Sequence, residues 1–210
     1  MRGVFVTGTD TDVGKTVASA CLVRALGADY WKPVQSGTDD LPEGDAGTVA
    51  ALAGIGPERI VPTVLAYKAP LSPDQAAALE GASIDLDAVS SLPSRERPVV
   101  VEGAGGVLVP LTETATMLDL MQRLALPVVV VARSGLGTIN HTLLTLEALD
   151  RRGLEVAGVI LVGPPKPMNR DAIIRFGGCT ILGELPHIDP LTPEAVADLS
   201  EHLTLEALSR

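Results

Sequence analysis

The sequence predicts an α/β fold, a mostly parallel β-sheet with helices on both faces. Three features point there. Short apolar runs recur at residues 4–7, 99–102, 127–132 and 156–162. They are rich in valine and do not alternate with polar residues, as expected of strands covered on both faces. Segments of helical spacing lie between them, and that alternation along the chain is the signature of a doubly wound sheet. At 210 residues the chain is sized for one such domain, spanning 1–210, and is short for two.

Taken in order, the first strand (4–7) leads through a glycine-bounded loop into a helix over 14–26. The segment Trp31-Lys32-Pro33-Val34-Gln35-Ser36-Gly37 forms the carboxyl end of a second strand. Residues 36–98 are rich in Pro, Gly, Ser and Asp and read as a long excursion with helices at 46–53 and 72–79. After the strand at 99–102 come a helix over 116–124 and the strand at 127–132. A helix over 139–151 follows, its apolar stripe made of Leu143, Leu146, Ala148 and Leu149. The strand at 156–162 precedes a closing helix over 192–208. There Thr192 is the N-cap, Pro193 the first helical residue and Glu194 an early acid. No internal repeat or low-complexity linker interrupts this plan.

Composition narrows the function. Hydrophobic residues make up 46% and aromatic residues only 2%, so the core is aliphatic. A net charge of −10, with no basic cluster to override it, argues against nucleic acid as a partner. Cys21 and Cys179 are far apart and neither belongs to a CxxC pair, which argues against a disulfide framework and a zinc site. No apolar stretch approaches the ~20 residues needed to span a bilayer, and the first residues read as a strand rather than a secretory leader. The expectation is a soluble, cytoplasmic protein.

The strongest local signal is Gly8-Thr9-Asp10-Thr11-Asp12-Val13-Gly14-Lys15-Thr16, directly after a strand and directly before a helix. That context makes it a P-loop, and the fold a P-loop NTPase-like one. Inward-turned backbone N–H groups and the positive end of the helix cradle phosphate. Lys15 is placed to reach the β- and γ-phosphates and Thr16 to offer its hydroxyl to Mg²⁺. Five residues, rather than the usual four, separate Gly8 from Gly14, and Thr9 stands at the usual first glycine, so the loop is a variant. Glu102 ends an apolar run before Gly103-Ala104-Gly105-Gly106, where a Walker-B-like carboxylate for Mg²⁺ is expected; a solvated strand-end acid is the alternative. By pattern alone Asp45 reads as the N-cap of the helix at 46–53, and Lys32 as a surface lysine before a proline.

Together these motifs resemble the dethiobiotin synthetase family. The resemblance rests on Val6 through Thr16, on Lys32-Pro33-Val34-Gln35-Ser36-Gly37 and on Val101-Glu102-Gly103-Ala104-Gly105-Gly106. Gly137-Thr138-Ile139-Asn140-His141 and Gly183-Glu184-Leu185-Pro186 extend it. It implies ATP-dependent ureido ring closure of 7,8-diaminopelargonate with CO₂, through a carbamate and a carbamic–phosphoric anhydride. Lys32 then becomes the active-site lysine, with Lys15 and Thr11 beside the reacting groups. Thr16, Asp45 and Glu102 hold Mg²⁺. The nucleotide is wrapped by Asp12, Val13, Gly14, Lys15, Thr16, Val17, Asp45, Glu102, Gly103, Ala104 and Gly105, with Gly163, Pro186, His187 and Ile188 bordering its base. Ser36 contacts the substrate. Gly137, Thr138, Ile139 and Asn140 hold the substrate carboxylate across a homodimer interface.

The chain departs from the family pattern in three places. Gly135 stands where some members carry Lys, with Arg133 nearby. Val162-Gly163 replaces an Asn-Asp pair that reads the base. Asp74-Gln75 follows Ser72-Pro73 where His is frequent. The main rival is a partitioning-type ATPase switch that dimerises on nucleotide. It needs a second lysine five positions before Lys15, and Asp10 stands there. No NKxD segment for guanine occurs, and the chain is too short to add a glutaminase domain.

Overall fold

A computed structural model describes residues 2–208. Seven parallel strands form the main sheet: β1 (Gly3–Gly8), β2 (Asp29–Trp31), β4 (Ile60–Val61), β6 (Val99–Gly106), β7 (Val128–Arg133), β8 (Val156–Val162) and β9 (Ile181–Leu185). Their spatial order is β4-β2-β6-β1-β7-β8-β9. A second, two-stranded parallel sheet pairs β3 (Val34–Gln35) with β5 (Leu65–Ala66). The helices are α1 (Lys15–Leu26), α2 (Gly44–Ala53), α3 (Pro73–Leu79), α4 (Leu86–Val89), α5 (Met117–Leu124), α6 (Thr138–Arg151), α7 (Pro167–Gly177) and α8 (Pro193–Glu201).

The two-residue period of each strand divides the core. Val4, Val6, Tyr30, Val100, Val129 and Val131 face one layer, against Leu22 of α1, Val49 of α2 and Val196 of α8. Phe5, Trp31, Val99, Val101, Val128 and Val130 face the other, with Leu120 of α5, Leu149 of α6 and Ile173 of α7. This two-sided burial is why the strand sequences are continuous apolar runs.

Several boundaries differ from expectation, each for a local reason. The strand ending at Glu102 continues to Gly106, because Gly106 pairs with Gly8 beyond a register shift. The closing helix stops at Glu201 rather than Leu208. His202 caps it, and the N–H of Thr204 donates to the carbonyl of Leu182, pulling the chain back onto the sheet. Asp45 is not an N-cap: that position is Glu43, and Asp45 lies in the first turn of α2. The excursion holds more than two helices, supplying α4, the edge strand β4 and β5, which pairs with β3 just before it. Among the described residues, no helix is long and apolar enough to cross a membrane.

Candidate active site

The chain runs leftward from β1 to β2 and returns through β6 before crossing to β7, so direction reverses beside β1. Ligands of open α/β sheets bind at such a reversal, outside the carboxyl ends of the strands. The loop after β1 lies there. Asp12 takes a positive φ of 56° and Gly14 one of 98°. At Gly14 a side chain is excluded twice, by that conformation and by Val162, whose methyl carbon lies 2.9 Å from where a Cβ would stand. Lys15 begins α1, and its Nζ donates to the carbonyl of Asp10 at 3.0 Å. Burial and then the nearby charge of Lys32 lower the Lys15 pKa.

Lys32 follows β2 directly. That strand does not adjoin β1, since β6 lies between them. Its reach into the site therefore runs through Glu102 on β6. Pairing of Tyr30 with Val100 and Trp31 with Val101 brings Lys32 level with Glu102. Lys32 is 4% exposed and Glu102 is 1% exposed. The ammonium donates to Glu102 Oε1 at 3.1 Å and to Asp45 Oδ2. Burial, the largest influence, favours the neutral amine, but Glu102 and Asp45 together outweigh it and raise the Lys32 pKa. Burial likewise opposes ionisation of Asp45, and the charge and hydrogen bond of Lys32 overcome it, leaving that carboxyl below its ordinary value.

Thr16 Oγ1 lies 3.2 Å from Asp45 Oδ1 and 3.3 Å from Glu102 Oε1, so its single proton serves one of them at a time. The Asp45 N–H donates to Gln35 Oε1 at 2.9 Å, which fixes the start of α2 against β3. Behind the group, the hydroxyl of Tyr30 donates to Glu102 Oε2 at 3.0 Å. Burial, then the charge of Glu102, raises the Tyr30 pKa well above its ordinary value and keeps the phenol protonated.

Lys15, Thr16, Lys32, Gln35, Asp45 and Glu102 line one cavity of about 780 Å³. Of the residues expected from sequence, Thr11, Asp12, Gly14, Lys15, Thr16, Val17, Lys32, Ser36, Asp45, Glu102, Ala104 and Gly105 line it. Val13 is buried behind the loop. Gly103 has no room for a side chain beside the ring of Phe5. Gly163 follows β8, while Pro186, His187 and Ile188 follow β9; a Cβ on Gly163 would lie 3.5 Å from His187 Nε2. Gly137 caps α6, and Thr138, Ile139 and Asn140 form its first turn, outside the main cavity. Next to them, His141 lines a second hollow of about 410 Å³ with Thr9, Asp10 and Thr11. Sequence reasoning missed Tyr30, the support from Gln35, and the cavity wall formed by Leu41 and Pro70 to Pro73. Within the irregular excursion only the departure from the family pattern after Ser72-Pro73 touches that wall. Arg133, the nearest candidate for the missing lysine, instead pairs with Asp10 at 2.7 Å.

The chain is similar to known proteins over almost its whole length. A family profile described as an AAA domain matches residues 2–195. The chain is 54% identical over 199 residues to the ATP-dependent dethiobiotin synthetase BioD of Paramagnetospirillum magneticum, covering 95% of each. It is 53% identical over 208 residues to the biotin biosynthesis bifunctional protein BioCD of Bordetella avium. That match covers 99% of this chain but only 44% of the relative, so the chain spans less than half of that longer protein. Among solved structures, a ParA family ATPase from Chlorobium tepidum TLS superposes with a TM-score of 0.60 at 13% identity, covering 99% of this chain and 98% of that one. A chain of the MinC:MinD cell division protein complex of Aquifex aeolicus gives 0.58 at 14%, covering 96% and 94%. At such identities these two speak for the fold alone.

Proposed function

Because the chain belongs to the ATP-dependent dethiobiotin synthetase family, we propose that it closes the ureido ring of dethiobiotin from 7,8-diaminopelargonate, CO₂ and ATP. The observation that carries the reading is the convergence of Lys32, Asp45, Glu102 and Thr16 at the mouth of the phosphate loop, within one cavity. The proposed unit is a single domain over 1–210, working as a cytoplasmic homodimer.

The chemistry needs a carbamate, formed from one substrate amine and CO₂, to meet the γ-phosphate of ATP. Both are anions. Lys15 and Lys32 supply the positive charge that lets them approach, and their placement on rigid elements makes that charge available without rearrangement. The carbamate oxygen attacks the γ-phosphorus, the bond to the β,γ-bridging oxygen breaks and ADP leaves, giving a carbamic–phosphoric anhydride. The second amine attacks its carbonyl and phosphate leaves. Both amines belong to one molecule, so positioning supplies much of the rate. Thr11 and Ser36 orient the reacting end. Gly163, Pro186, His187 and Ile188 border the base, with backbone rather than an Asn-Asp pair on that side.

Thr16, Asp45 and Glu102 fit Mg²⁺. Their donors are all oxygen, and two carboxylates with phosphate is a common magnesium arrangement. Among the described residues no group of three or more His, Cys, Asp or Glu gathers to hold a metal, so phosphate and water must complete the shell. Bound there, Mg²⁺ would neutralise phosphate charge. The N-terminus of α6, at Gly137, Thr138, Ile139 and Asn140, suits a carboxylate. Its place outside the main cavity of its own chain fits delivery from a partner subunit.

Phosphate release dependent on both diaminopelargonate and bicarbonate, measured with several nucleotides for wild type and Lys32→Ala, tests the reading. Turnover that ignores the diamine, or full activity in Lys32→Ala, would overturn it. A partitioning-type switch is not favoured, because Asp10, paired with Arg133, occupies the place of its signature lysine.

A further inference from the structure

We propose that Tyr30 is a positioning residue for Glu102: its hydroxyl holds one carboxylate oxygen so that the other is presented to the divalent cation and to Lys32. The inference rests on the reading of Glu102 as a metal ligand. It adds a residue that the sequence motifs do not include.

The two oxygens of Glu102 have separate tasks. Oε1 faces the cavity, 3.1 Å from the Lys32 ammonium and 3.3 Å from Thr16 Oγ1. Oε2 points away from it and accepts from the Tyr30 hydroxyl at 3.0 Å. Neither Tyr30 nor Glu102 offers appreciable surface to solvent. Water is therefore a poor substitute partner for Oε2, and a buried carboxylate oxygen left unpaired is costly. Without the phenol, the carboxylate gains by turning Oε2 toward the cations, and the position of Oε1 is no longer fixed.

The placement follows from register. Tyr30 lies opposite Val100 in the β2–β6 pair, two residues before Glu102, and its ring joins the layer under α1 and α2. Trp31, the next residue, faces the opposite layer. Only one of these adjacent aromatics can approach Glu102 from behind, and it is the one with a hydroxyl. Partners that orient a ligating carboxylate contribute through the metal: their loss commonly weakens metal affinity or activity about 10- to 100-fold.

The test is calorimetric titration of ATP into the whole protein across a Mg²⁺ series and in EDTA, so that the readout is binding rather than turnover. Tyr30→Phe keeps the ring and removes the hydroxyl. Its expected effect is a roughly ten-fold rise in the Mg²⁺ concentration that half-saturates the gain in ATP affinity, with affinity in EDTA unchanged. Tyr30→Met, also without a hydroxyl, should show the same loss and serves if the Phe variant does not fold. Val100→Ala, a cavity variant beside Tyr30, should melt earlier yet keep the wild-type Mg²⁺ response, which separates positioning from loss of packing. Wild-type Mg²⁺ dependence in the Tyr30 variants would overturn the inference while Glu102→Ala still abolishes that dependence. A Glu102→Ala protein with an unaltered Mg²⁺ response would instead remove the metal-ligand reading beneath it, and the inference with it.

Discussion

Replacing Lys32 with methionine tests the electrostatic core of the site apart from catalysis. The ammonium is 4% exposed and bonded to two carboxylates. Methionine fills nearly the same volume and leaves Asp45 Oδ2 and Glu102 Oε1 facing one another without it. Lys15 does not replace that charge directly, since its ammonium is bonded to the carbonyl of Asp10. Breaking a buried ion pair by removing one member costs about 3–5 kcal/mol. For a chain of this size that lowers Tm by roughly 6–20 °C. The pH dependence has a definite sign. Asp45 has a folded pKa below its unfolded value. Its contribution is present above the unfolded value, about 4, and is lost as pH falls through the folded value. Lys32 has a raised folded pKa, so its contribution is present at neutral pH and is lost only as pH rises through that folded value. The gap between wild type and Lys32→Met should therefore shrink on acidification, as the buried carboxylates left unpaired in the variant take up protons that the paired Asp45 of the wild type takes up only at lower pH. Adding Asp45→Asn and Glu102→Gln to Lys32→Met should recover part of the loss, because no buried carboxylate then lacks a partner, while Lys15, whose charge both carboxylates favour, limits the recovery. Denaturant unfolding of the three proteins across pH measures this. Equal stability of wild type and Lys32→Met at neutral pH, or a gap indifferent to acid, would refute the reasoning.

Gly163→Ala should weaken nucleotide binding and cost about 1–3 kcal/mol. Its φ is 124° and the new methyl would lie 2.6 Å from Ser134 Oγ, whose bond to the Pro164 carbonyl would have to break; calorimetry and a melting curve check both effects. Cys21 should resist thiol reagents near neutral pH until the protein is denatured, since burial pushes its pKa to about 12. A timed thiol titration should show slow native labelling from half-buried Cys179 alone. Asp29→Ala should lower stability by about 2 kcal/mol, or roughly 4–8 °C in Tm, because Asp29 is buried beside Arg59, Arg95 and Arg97. Diamine-dependent phosphate release should stay near wild type, since Asp29 begins β2, at the amino end of the strands, opposite the phosphate loop.

Sequence alone determined the central strands of the sheet and the phosphate loop, but not the edge strands β4 and β9. A strand buried on both faces must be an unbroken apolar run, and a phosphate loop must have glycine where the backbone turns, so both leave marks within a few consecutive residues. Thr16 was legible for the same reason, one step past Lys15. Lys32 and Asp45 were assigned roles only by resemblance, because local pattern read Lys32 as a surface residue and Asp45 as a helix cap, whereas local pattern already read Glu102 as a Walker-B-like ligand, with a strand-end acid as the alternative. Their association depends on β2 pairing with β6 rather than β1, and on Gln35 holding the first turn of α2 against the site. Tertiary structure also decided the partner of Glu102 Oε2. Tyr30 is 72 residues away in sequence, and nothing near it distinguishes a core aromatic from one aimed at a carboxylate. Local sequence records what the backbone needs from its neighbours; which side chains share a buried charge is set by how distant strands pair.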